Sequence, residues 1–349
     1  MRVGSVVYAT EQGLGRLGKS FYDAGVIDEV LIVNHPSRKI QRPDWYSADA
    51  HTVSRRKVAG PKVDEFLERV DLVLFFETAF DWSLLDRCKE RGVKTVLVPM
   101  YEWYPERMSR VAHRNCSDGS SQFDFFLNPS LLDQDYFSDG EFLPIPVVDI
   151  PWTQRTRARK FLHNAGHIGS RNHKGTFEVL QAVQYVQSPA KITVRSQQDV
   201  KLQKLVEESG VDISRINIEY GGRPYETLWD GYDVLLAPEK YNGLSLPLQE
   251  ARAAGLVVMA SNRYPMNTWL PNEALIPVTG VDNVRVQSGC VVIEESKIDP
   301  KDVAKQIDDW YGRDISSYSF AGKVWADEMS WENLKPKYIE VLERICRLL

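Results

Sequence analysis

The chain has 349 residues, of which 43% are hydrophobic and 26% charged, and its formal net charge at pH 7 is −5. A chain of this length is too long to fold around one ordinary hydrophobic core, so we predict two domains. The apolar fraction excludes a disordered chain. No apolar run approaches the roughly 20 residues that a membrane-spanning helix requires, and the first residues resemble a β-strand more than a signal peptide. We therefore expect a cytoplasmic protein without a transmembrane segment.

Strand-like and helix-like segments alternate through the first 146 residues. The pattern predicts strands in VGSVVYA, EVLIVN, DLVLFF, KTVLVPM and FDFFLNP, with helices near residues 14–24, 64–70 and 82–91. Short, continuously apolar strands separated by helices are typical of a parallel sheet covered on both faces. We interpret residues 1–146 as a Rossmann-like domain that binds the acceptor of the reaction considered below.

Candidate site residues of this domain follow its predicted strands. Gly13 and Gly15 open the first helix, but the GxGxxG spacing of a dinucleotide site is missing, so a contact with a donor phosphate or an acceptor fits better. Glu77 and Glu102 follow the apolar strands DLVLFF and KTVLVPM, at the sheet edge where ligands bind. Either carboxylate could act as a general base, or it could cap a helix or pair with an arginine.

Positive charge is concentrated in two segments of this acidic chain. Residues 37–62 contain seven Lys and Arg residues around two aromatic side chains, and residues 155–174 contain six and no acid. Such a surface could follow a phosphate backbone and stack a base, or it could be an ordinary solvated face. The candidate acceptor-binding residues are Trp45, Tyr46, Arg55, Arg56, Trp103 and Arg107.

The alternation restarts after a proline-rich stretch at residues 143–152, which is the candidate linker. Strands are predicted in KFLHNAG, KITVRS, INIEYGG, DVLLAPE, LVVMASN and ALIPV, with helices between them, including one directly before DVLLAPE. Residues 147–330 are therefore interpreted as a second Rossmann-like domain. Residues 331–349 form a closing helix, with Ser330 as its candidate N-cap.

The most specific motif is APEKYNGLSLPLQEARAAGLVVMASN, residues 237–262. A turn of small residues that opens a helix presents backbone N–H groups and the positive helix end, which together favour a phosphate. Gly243, Leu244 and Ser245 lie in that turn, directly after Asn242. Glu250 lies two turns into the helix, where its carboxylate can accept hydrogen bonds from ribose hydroxyls.

This run resembles the donor motif of the retaining family 4 glycosyltransferases, which reads roughly E-G-F-G-L-P-x-x-E-A and continues to A-x-G and a strand ending in A-S. Residues 163–183 are similar to the family's R…K-G-x-x-x-L-L element, with Arg171 and Lys174 at its basic positions. Residues 216–238 look like its nucleobase-side loop, with Gly222 and Arg223 near the base. The resemblance covers residues 160–349 by motif and the N-terminal half only by pattern.

The resemblance implies a GT-B architecture, in which two Rossmann-like domains face each other across a cleft and a C-terminal helix crosses back. It also implies transfer of a hexose or pentose from a UDP- or GDP-sugar, held by the C-terminal domain, to an acceptor hydroxyl with retention of stereochemistry. No cofactor is expected, and no metal either, since the sequence has neither a DxD signature at a strand end nor a metal-ligand spacing. Lys174 and Arg171 would then stabilise the departing diphosphate.

One position departs from the family pattern, because Asn242 stands where the family has its first glutamate. If Asn242 takes part in catalysis, it does so without a negative charge, and the leaving phosphate would assist instead. The acceptor is a glycan, a lipid or a small molecule, with a hydroxymethylated base in DNA as the alternative. An inactive subunit that only binds the nucleotide-sugar, or an epimerase or phosphorylase of similar architecture, also stays open.

Overall fold

The structure is a computed structural model that describes residues 1–34, 42–54, 58–104, 123–168, 172–286 and 291–347. The chain forms two compact units. The first comprises Met1–Pro146, Arg285–Val292 and Met329–Leu349, and the second comprises Val147–Val284 and Ile293–Glu328.

The first unit contains a parallel seven-stranded sheet. Its strands are β1 (Val3–Val7), β2 (Glu29–Asn34), β3 (His51–Ser54), β4 (Leu72–Glu77), β5 (Lys94–Pro99), β6 (Phe125–Asn128) and β7 (Glu141–Phe142), and their order across the sheet is β3-β2-β1-β4-β5-β6-β7. Its first four helices are α1 (Gly13–Asp23), α2 (Pro61–Glu68), α3 (Ser83–Glu90) and α4 (Leu131–Tyr136). This strand order is that of a Rossmann fold.

The second unit contains a parallel six-stranded sheet of the same type. Its strands are β8 (Lys160–Gly166), β9 (Lys191–Ser196), β10 (Ile216–Tyr220), β11 (Val234–Ala237), β12 (Val257–Ser261) and β13 (Leu275–Ile276), in the order β10-β9-β8-β11-β12-β13. A separate two-stranded sheet pairs β14 (Gly280–Val286) with β15 (Val291–Lys297). The helices of this part of the chain are α5 (Thr176–Ala182), α6 (Asp199–Ser209), α7 (Leu246–Ala253), α8 (Pro300–Trp310) and α9 (Ser316–Glu328).

Both faces of the second sheet are buried, as continuously apolar strands predict. Val234 and Leu236 of β11 belong to one core cluster, which includes side chains of α5, α6 and α8. Leu235 and Ala237 of the same strand belong to another cluster, which contains Leu248 of α7. Because successive side chains of a strand point to opposite faces, helices must cover both sides of such a sheet. The predicted pair of Rossmann-like α/β domains is therefore confirmed.

The last helix, α10 (Trp331–Arg347), belongs to the first unit. The Trp331 Nε1–H donates a hydrogen bond to Ser20 Oγ at 2.7 Å, and the Trp331 ring packs edge-on against Phe21 of α1. The Tyr338 hydroxyl lies 3.1 Å from the carbonyl oxygen of Pro144, to which it donates. These contacts attach the C-terminal residues to α1 and to the end of the first 146 residues.

Three local predictions need correction. The helix expected before DVLLAPE is only a short 3-10 turn at Tyr225–Thr227, since Pro224 precedes it and Gly231 follows with a left-handed φ of 82°. The sequence also predicts a helix over residues 174–186, but the helix is shorter, since it begins at Thr176 after the left-handed Gly175 and ends at Ala182. The strands β3, β7, β14 and β15 and the helices α4 and α9 were not individually predicted.

Candidate functional site

The loops after β8 and β11 flank the point where the second sheet reverses its winding. β8 and β11 are neighbours in the sheet. β9, which follows β8 in the chain, lies on the far side of β8, whereas β12, which follows β11, lies on the far side of β11. In open α/β sheets, ligands bind in the crevice outside the carboxyl ends of the strands at such a point. The described residues of these two loops are 167–168, 172–175 and 238–245, and they include four of the ten predicted donor-binding residues, Lys174, Gly243, Leu244 and Ser245.

The two loops are joined by an ion pair between Lys174 and Glu239. Lys174 Nζ lies 2.5 Å from Glu239 Oε1, and the hydroxyl of Ser245 donates to Glu239 Oε2 at 2.9 Å. The Glu239 side chain is only 7% exposed and that of Lys174 20% exposed. Burial alone would raise the pKa of Glu239, but the Lys174 charge and the hydrogen bonds from Lys174 and Ser245 outweigh it, so that this pKa is lowered. The carboxylate is therefore ionised at neutral pH.

Asn242 closes the turn in which Gly243, Leu244 and Ser245 lie. Its Oδ1 accepts a hydrogen bond of 2.7 Å from the backbone N–H of Ser245, the residue directly before α7. Ser245 is left-handed, with a φ of 45°, and it is buried together with Gly243 and Leu244. The Asn242 amide thus supports the turn, and the Ser245 N–H that the sequence assigned to a phosphate already has an acceptor.

Glu250 lies on α7 and contacts the 3-10 turn that replaces the predicted helix. The Tyr225 hydroxyl donates to Glu250 Oε1 at 2.8 Å. Gly222 and Arg223 precede that turn and are exposed. Arg223 Nη2 donates to Glu219 Oε1 at 2.9 Å. The structure therefore brings the predicted ribose-binding carboxylate next to a tyrosine that the sequence did not single out.

Two histidines lie beside the ion pair, and of these His163 is buried and His173 is partly buried. His163 Nδ1 lies 2.8 Å from the carbonyl oxygen of Leu236, and its Nε2 lies 2.9 Å from Thr176 Oγ1. Burial lowers the pKa of His163 and of His173 to about 4 in each case. Both rings are neutral at pH 7, and His163 holds a strand and a helix together.

In the first unit, the equivalent point lies between β1 and β4. Gly15 lies in α1, the helix that follows β1. A Cβ atom at Gly15 would lie 2.1 Å from the backbone oxygen of Thr10, so no larger residue fits there without a shift. Gly13 is exposed, and a Cβ atom would meet nothing within 4 Å. Gly15 thus has a packing role that requires glycine, whereas Gly13 does not.

Glu77 is the last residue of β4, where the sequence expected it, and its backbone is left-handed with a φ of 66°. The Trp103 Nε1–H donates to Glu77 Oε1 at 2.6 Å, and the Tyr104 hydroxyl donates to the Glu77 carbonyl oxygen at 2.7 Å. A glutamate in this backbone region is uncommon and strained. Two aromatic side chains therefore hold Glu77 in an unfavourable conformation at the binding edge of the sheet.

Glu102 lies in the 3-10 turn Tyr101–Trp103 and adds negative charge near Asp133. Asp133 is fully buried, and its Oδ1 accepts from the Tyr101 N–H at 2.9 Å while its Oδ2 lies 2.5 Å from Ser130 Oγ. Burial, joined by the charge of Glu102, raises the pKa of Asp133 to about 8. Asp133 therefore keeps its proton at neutral pH.

The aromatic candidates near residue 45 have different environments. The Trp45 ring is partly buried, and the guanidinium groups of Arg16 and Arg42 lie 4.9 and 5.4 Å from its centre. Tyr46 is 7% exposed and packs edge-on against Tyr22, so its ring is not placed to stack on a base. Arg55, Arg56, Arg107 and Arg171 lie outside the described residues.

The sequence analysis missed Glu239 and Asp133, the two most buried carboxylates of these sites. Glu239 lies between a proline and a lysine, and its partner Lys174 is 65 residues away. Asp133 stands in a short helix that reads as solvated. The one usable signal was the position of Glu239 directly after the apolar strand VLLAP, at a ligand-binding sheet edge.

Membrane-spanning helices and metal-binding clusters are both absent from the described part of the chain. No helix there is both long and apolar enough to cross a bilayer. No group of three or more His, Cys, Asp or Glu side chains within the described ranges is placed to hold a metal ion.

Solved structures of glycosyltransferases share this fold over the whole chain. A glycosyltransferase from Rickettsia africae is 12% identical with a TM-score of 0.66, and the match covers 100% of this chain and 99% of that one. HepE from Anabaena, solved with UDP and glucose, is 10% identical with a TM-score of 0.68 and is matched over 99% of this chain and 100% of its own. Sucrose-phosphate synthase from Thermosynechococcus elongatus is 14% identical with a TM-score of 0.62, and 99% of each chain is matched. The chain therefore has the fold of GT-B glycosyltransferases.

Sequence comparison adds no family to this structural likeness. No protein-family model matches the chain, and no curated protein matches it.

Proposed function

We propose that this chain is a glycosyltransferase that takes a sugar from a UDP-sugar held by its second unit and transfers it to an acceptor hydroxyl bound by its first unit. The observation that carries the proposal is the position of Lys174 at the reversal point of the second sheet, next to the start of α7. An ammonium group and a helix N-terminus at this point suit a diphosphate. The structural neighbours with UDP favour that nucleotide.

In the proposed reaction, the bond between the sugar C1 and the diphosphate oxygen breaks, and the diphosphate leaves with the electron pair. The acceptor oxygen bonds to C1, and its proton passes to a base or to the departing phosphate. Lys174 and the first turn of α7 stabilise the negative charge that develops on the leaving group. Because these groups belong to the chain itself, we propose that the transfer needs no metal, and that activity persists in EDTA.

Glu250 is the proposed ribose ligand, and Tyr225 orients its carboxylate through the hydrogen bond to Oε1. Retention of stereochemistry is part of the proposal because the run from Asn242 to Ala251 resembles that of retaining enzymes. Glu77 is the proposed acceptor ligand, because it ends β4 at the reversal point of the first sheet in a held conformation.

Nucleotide binding tests the donor half of this proposal. Calorimetry would compare UDP and GDP binding by the unaltered chain, by Lys174→Met and by Lys204→Met, whose exposed lysine pairs with Glu208 in its own helix. Loss of a charge-assisted hydrogen bond of about 1.5–3 kcal/mol predicts roughly 10- to 100-fold weaker UDP binding by Lys174→Met. Lys204→Met should bind as the unaltered chain does. If the unaltered chain binds neither nucleotide, the proposal is wrong.

Mass spectrometry of acceptors tests the other half. The chain would be incubated with UDP-sugars and, separately, with glycan, lipid and small-molecule acceptors and with duplex DNA that contains 5-hydroxymethylcytosine. A hexose or pentose mass gain on one class identifies the acceptor, and unmodified DNA is the control for the DNA arm. UDP binding without sugar transfer to any class, and without donor hydrolysis, would instead identify a binding subunit.

A further inference from the structure

The carboxylate of Glu239 is fixed by contacts to every one of its polar atoms. Its Oε1 faces Lys174 Nζ at 2.5 Å, and its Oε2 accepts from the Ser245 hydroxyl at 2.9 Å. The backbone oxygen of Glu239 accepts from the Ser261 hydroxyl at 2.8 Å, at the end of β12. A buried charge with this many partners has one position and little freedom to leave it.

The backbone around Lys174 is fixed as well. A Cβ atom at Gly175 would lie 2.1 Å from the carbonyl oxygen of Pro238, which shows how closely the two loops approach. The backbone N–H of Lys240 donates to the carbonyl oxygen of His173 at 2.7 Å. The lysine that precedes Gly175 therefore projects from a loop that is held directly against the loop of Glu239.

Glu239 is the one carboxylate among residues 238–245, the segment before α7. Asn242 in the same segment is neutral, and its Oδ1 accepts a hydrogen bond from the Ser245 N–H. Ser245 connects both side chains, because its hydroxyl donates to Glu239 and its N–H donates to Asn242. The start of α7 and the ammonium of Lys174 are thus held by the same carboxylate.

We propose that Glu239 is a positioning residue, which keeps Lys174 charged and fixed beside the first turn of α7 so that both face the same phosphate. This inference rests on the proposed function, in which Lys174 contacts the donor diphosphate. Glu239 itself does not touch the donor, since its oxygens are buried and bonded within the protein.

The other charged and titratable groups near Lys174 and Glu239 are either paired with each other or neutral. Lys240 Nζ lies 2.7 Å from Glu178 Oε1 and forms a separate pair. His163 and His173, whose pKa values burial lowers to about 4, are neutral above pH 6. Between pH 6 and 10, removal of the Glu239 charge therefore leaves the partly buried ammonium of Lys174 without its counter-charge, which favours the neutral amine in the variant.

Chemical labelling of Lys174 tests the proposal without any substrate. Acetic anhydride reacts with the neutral amine, and peptide mass spectrometry would measure acetylation of Lys174 from pH 6 to 10. We expect Glu239→Gln to raise the labelling rate at pH 8 at least fivefold, and Glu239→Asp to restore most of the protection. Glu208→Gln, which removes an exposed carboxylate of α6 paired with Lys204, should change nothing.

Steady-state kinetics on the same variants provides the second readout. In Glu239→Gln, loss of the fixed position of Lys174 should lower kcat about tenfold at pH 7, and easier loss of its proton should lower kcat further as the pH rises towards 10, while the donor KM changes less than threefold. The double variant Glu239→Gln, Lys174→Arg should lose this alkaline decline, because a guanidinium stays charged. A purely structural role would lower kcat equally at every pH and leave the labelling unchanged, which would overturn the proposal.

A second variant and a substrate-free measurement distinguish failure of this proposal from misfolding and from failure of the proposed function. If Glu239→Gln does not fold, Ser245→Ala removes one hydrogen bond from the carboxylate and should raise Lys174 labelling about twofold; unchanged labelling then contradicts the proposal. If the unaltered chain neither binds UDP nor consumes a UDP-sugar, the proposed function fails, whereas the labelling experiment still decides whether Glu239 controls Lys174.

Discussion

The two units share one strand order but fill their binding edges with different chemistry. In each unit, the first and fourth strands flank the reversal point. These strands are β1 and β4 in the first unit and β8 and β11 in the second. The second unit joins its two loops with the ion pair of Lys174 and Glu239. In the first unit, Tyr8 directly after β1 packs edge-on against Phe80 after β4 at 4.5 Å, and Trp103 after β5 donates to Glu77 at the end of β4. Topology fixes where a ligand binds, and the side chains decide which ligand it is.

This difference matches the two substrates of the proposed reaction. A diphosphate needs fixed positive charge and helix N–H groups, for which the second unit presents Lys174 and the start of α7. A hydroxyl acceptor needs a carboxylate and apolar contact surface, which Glu77 and the surrounding aromatic side chains of the first unit supply. The following predictions test how far each edge depends on its own chemistry.

The largest expected effect is on the contact between the two loops of the second unit. Gly175→Ala places a Cβ atom against the Pro238 carbonyl oxygen and also forces a side chain into a backbone with a φ of 71°. We expect this change to cost about 3 kcal/mol of unfolding free energy and to abolish UDP binding. Urea unfolding and calorimetry would measure both quantities.

Gly210→Ala is the matched control for that change. Gly210 is also left-handed, with a φ of 66°, but a Cβ atom there meets nothing within 4 Å. It should cost only about 1 kcal/mol and leave UDP binding intact. Equal costs for the two variants would show that the close approach of the loops contributes nothing.

Opposite responses to pH are the second expected difference. The folded first unit keeps the proton of Asp133 up to about pH 8, whereas the unfolded chain loses it near the ordinary value of 3.8, so this unit should lose stability as the pH rises from about 4 to 8. The folded second unit keeps His163 neutral down to about pH 4, whereas the unfolded chain takes up a proton near 6.5. This unit should lose stability as the pH falls from 6.5 to 4.

Hydrogen exchange resolved by peptide would measure the two responses separately. After correction for the intrinsic pH dependence, residues 123–136 should exchange faster at pH 8 than at pH 5, and residues 160–166 faster at pH 4.5 than at pH 7. We expect changes of roughly 2 to 4 kcal/mol, with the larger change for Asp133. Asp133→Asn should remove the first response and leave the second, and the same sign of response in both units would contradict these assignments.

The sequence predicted the second unit in more detail than the first, because its site is built mainly from residues close together in the chain. The turn from Asn242 to Glu250 is a local motif, and the structure places it as expected at the start of α7. Glu239 escaped prediction because its burial depends on Lys174, and no local pattern reports a contact over 65 residues. A local motif therefore predicts the turn before a helix more readily than it predicts a buried side chain whose partner is distant in the sequence.

The first unit shows the opposite case, since its candidates came from strand ends and aromatic content alone. Glu77 was found because it ends an apolar strand, but its left-handed backbone depends on Trp103 and Tyr104, which follow another strand. Tyr46 was assigned to an exposed basic surface, yet it is buried against Tyr22. Composition indicates that such a segment is basic and aromatic, whereas packing decides which ring faces solvent.

The smallest expected effect on stability comes from removing the hydrogen bond between Trp103 and Glu77. It tests whether this bond serves sugar transfer or only the stability of the first unit. Trp103→Phe keeps an aromatic ring but removes the N–H that bonds to Glu77 Oε1, at a cost of about 1 kcal/mol because the pair is partly exposed. Trp331→Phe is the matched control, since it removes a similar hydrogen bond to Ser20 in the same unit, away from the end of β4. If Glu77 orients the acceptor, Trp103→Phe should slow sugar transfer several-fold with unchanged UDP affinity, while Trp331→Phe should lose comparable stability and transfer at the normal rate. Equal transfer rates for the two variants would mean that the strained conformation of Glu77 serves the fold of the first unit alone.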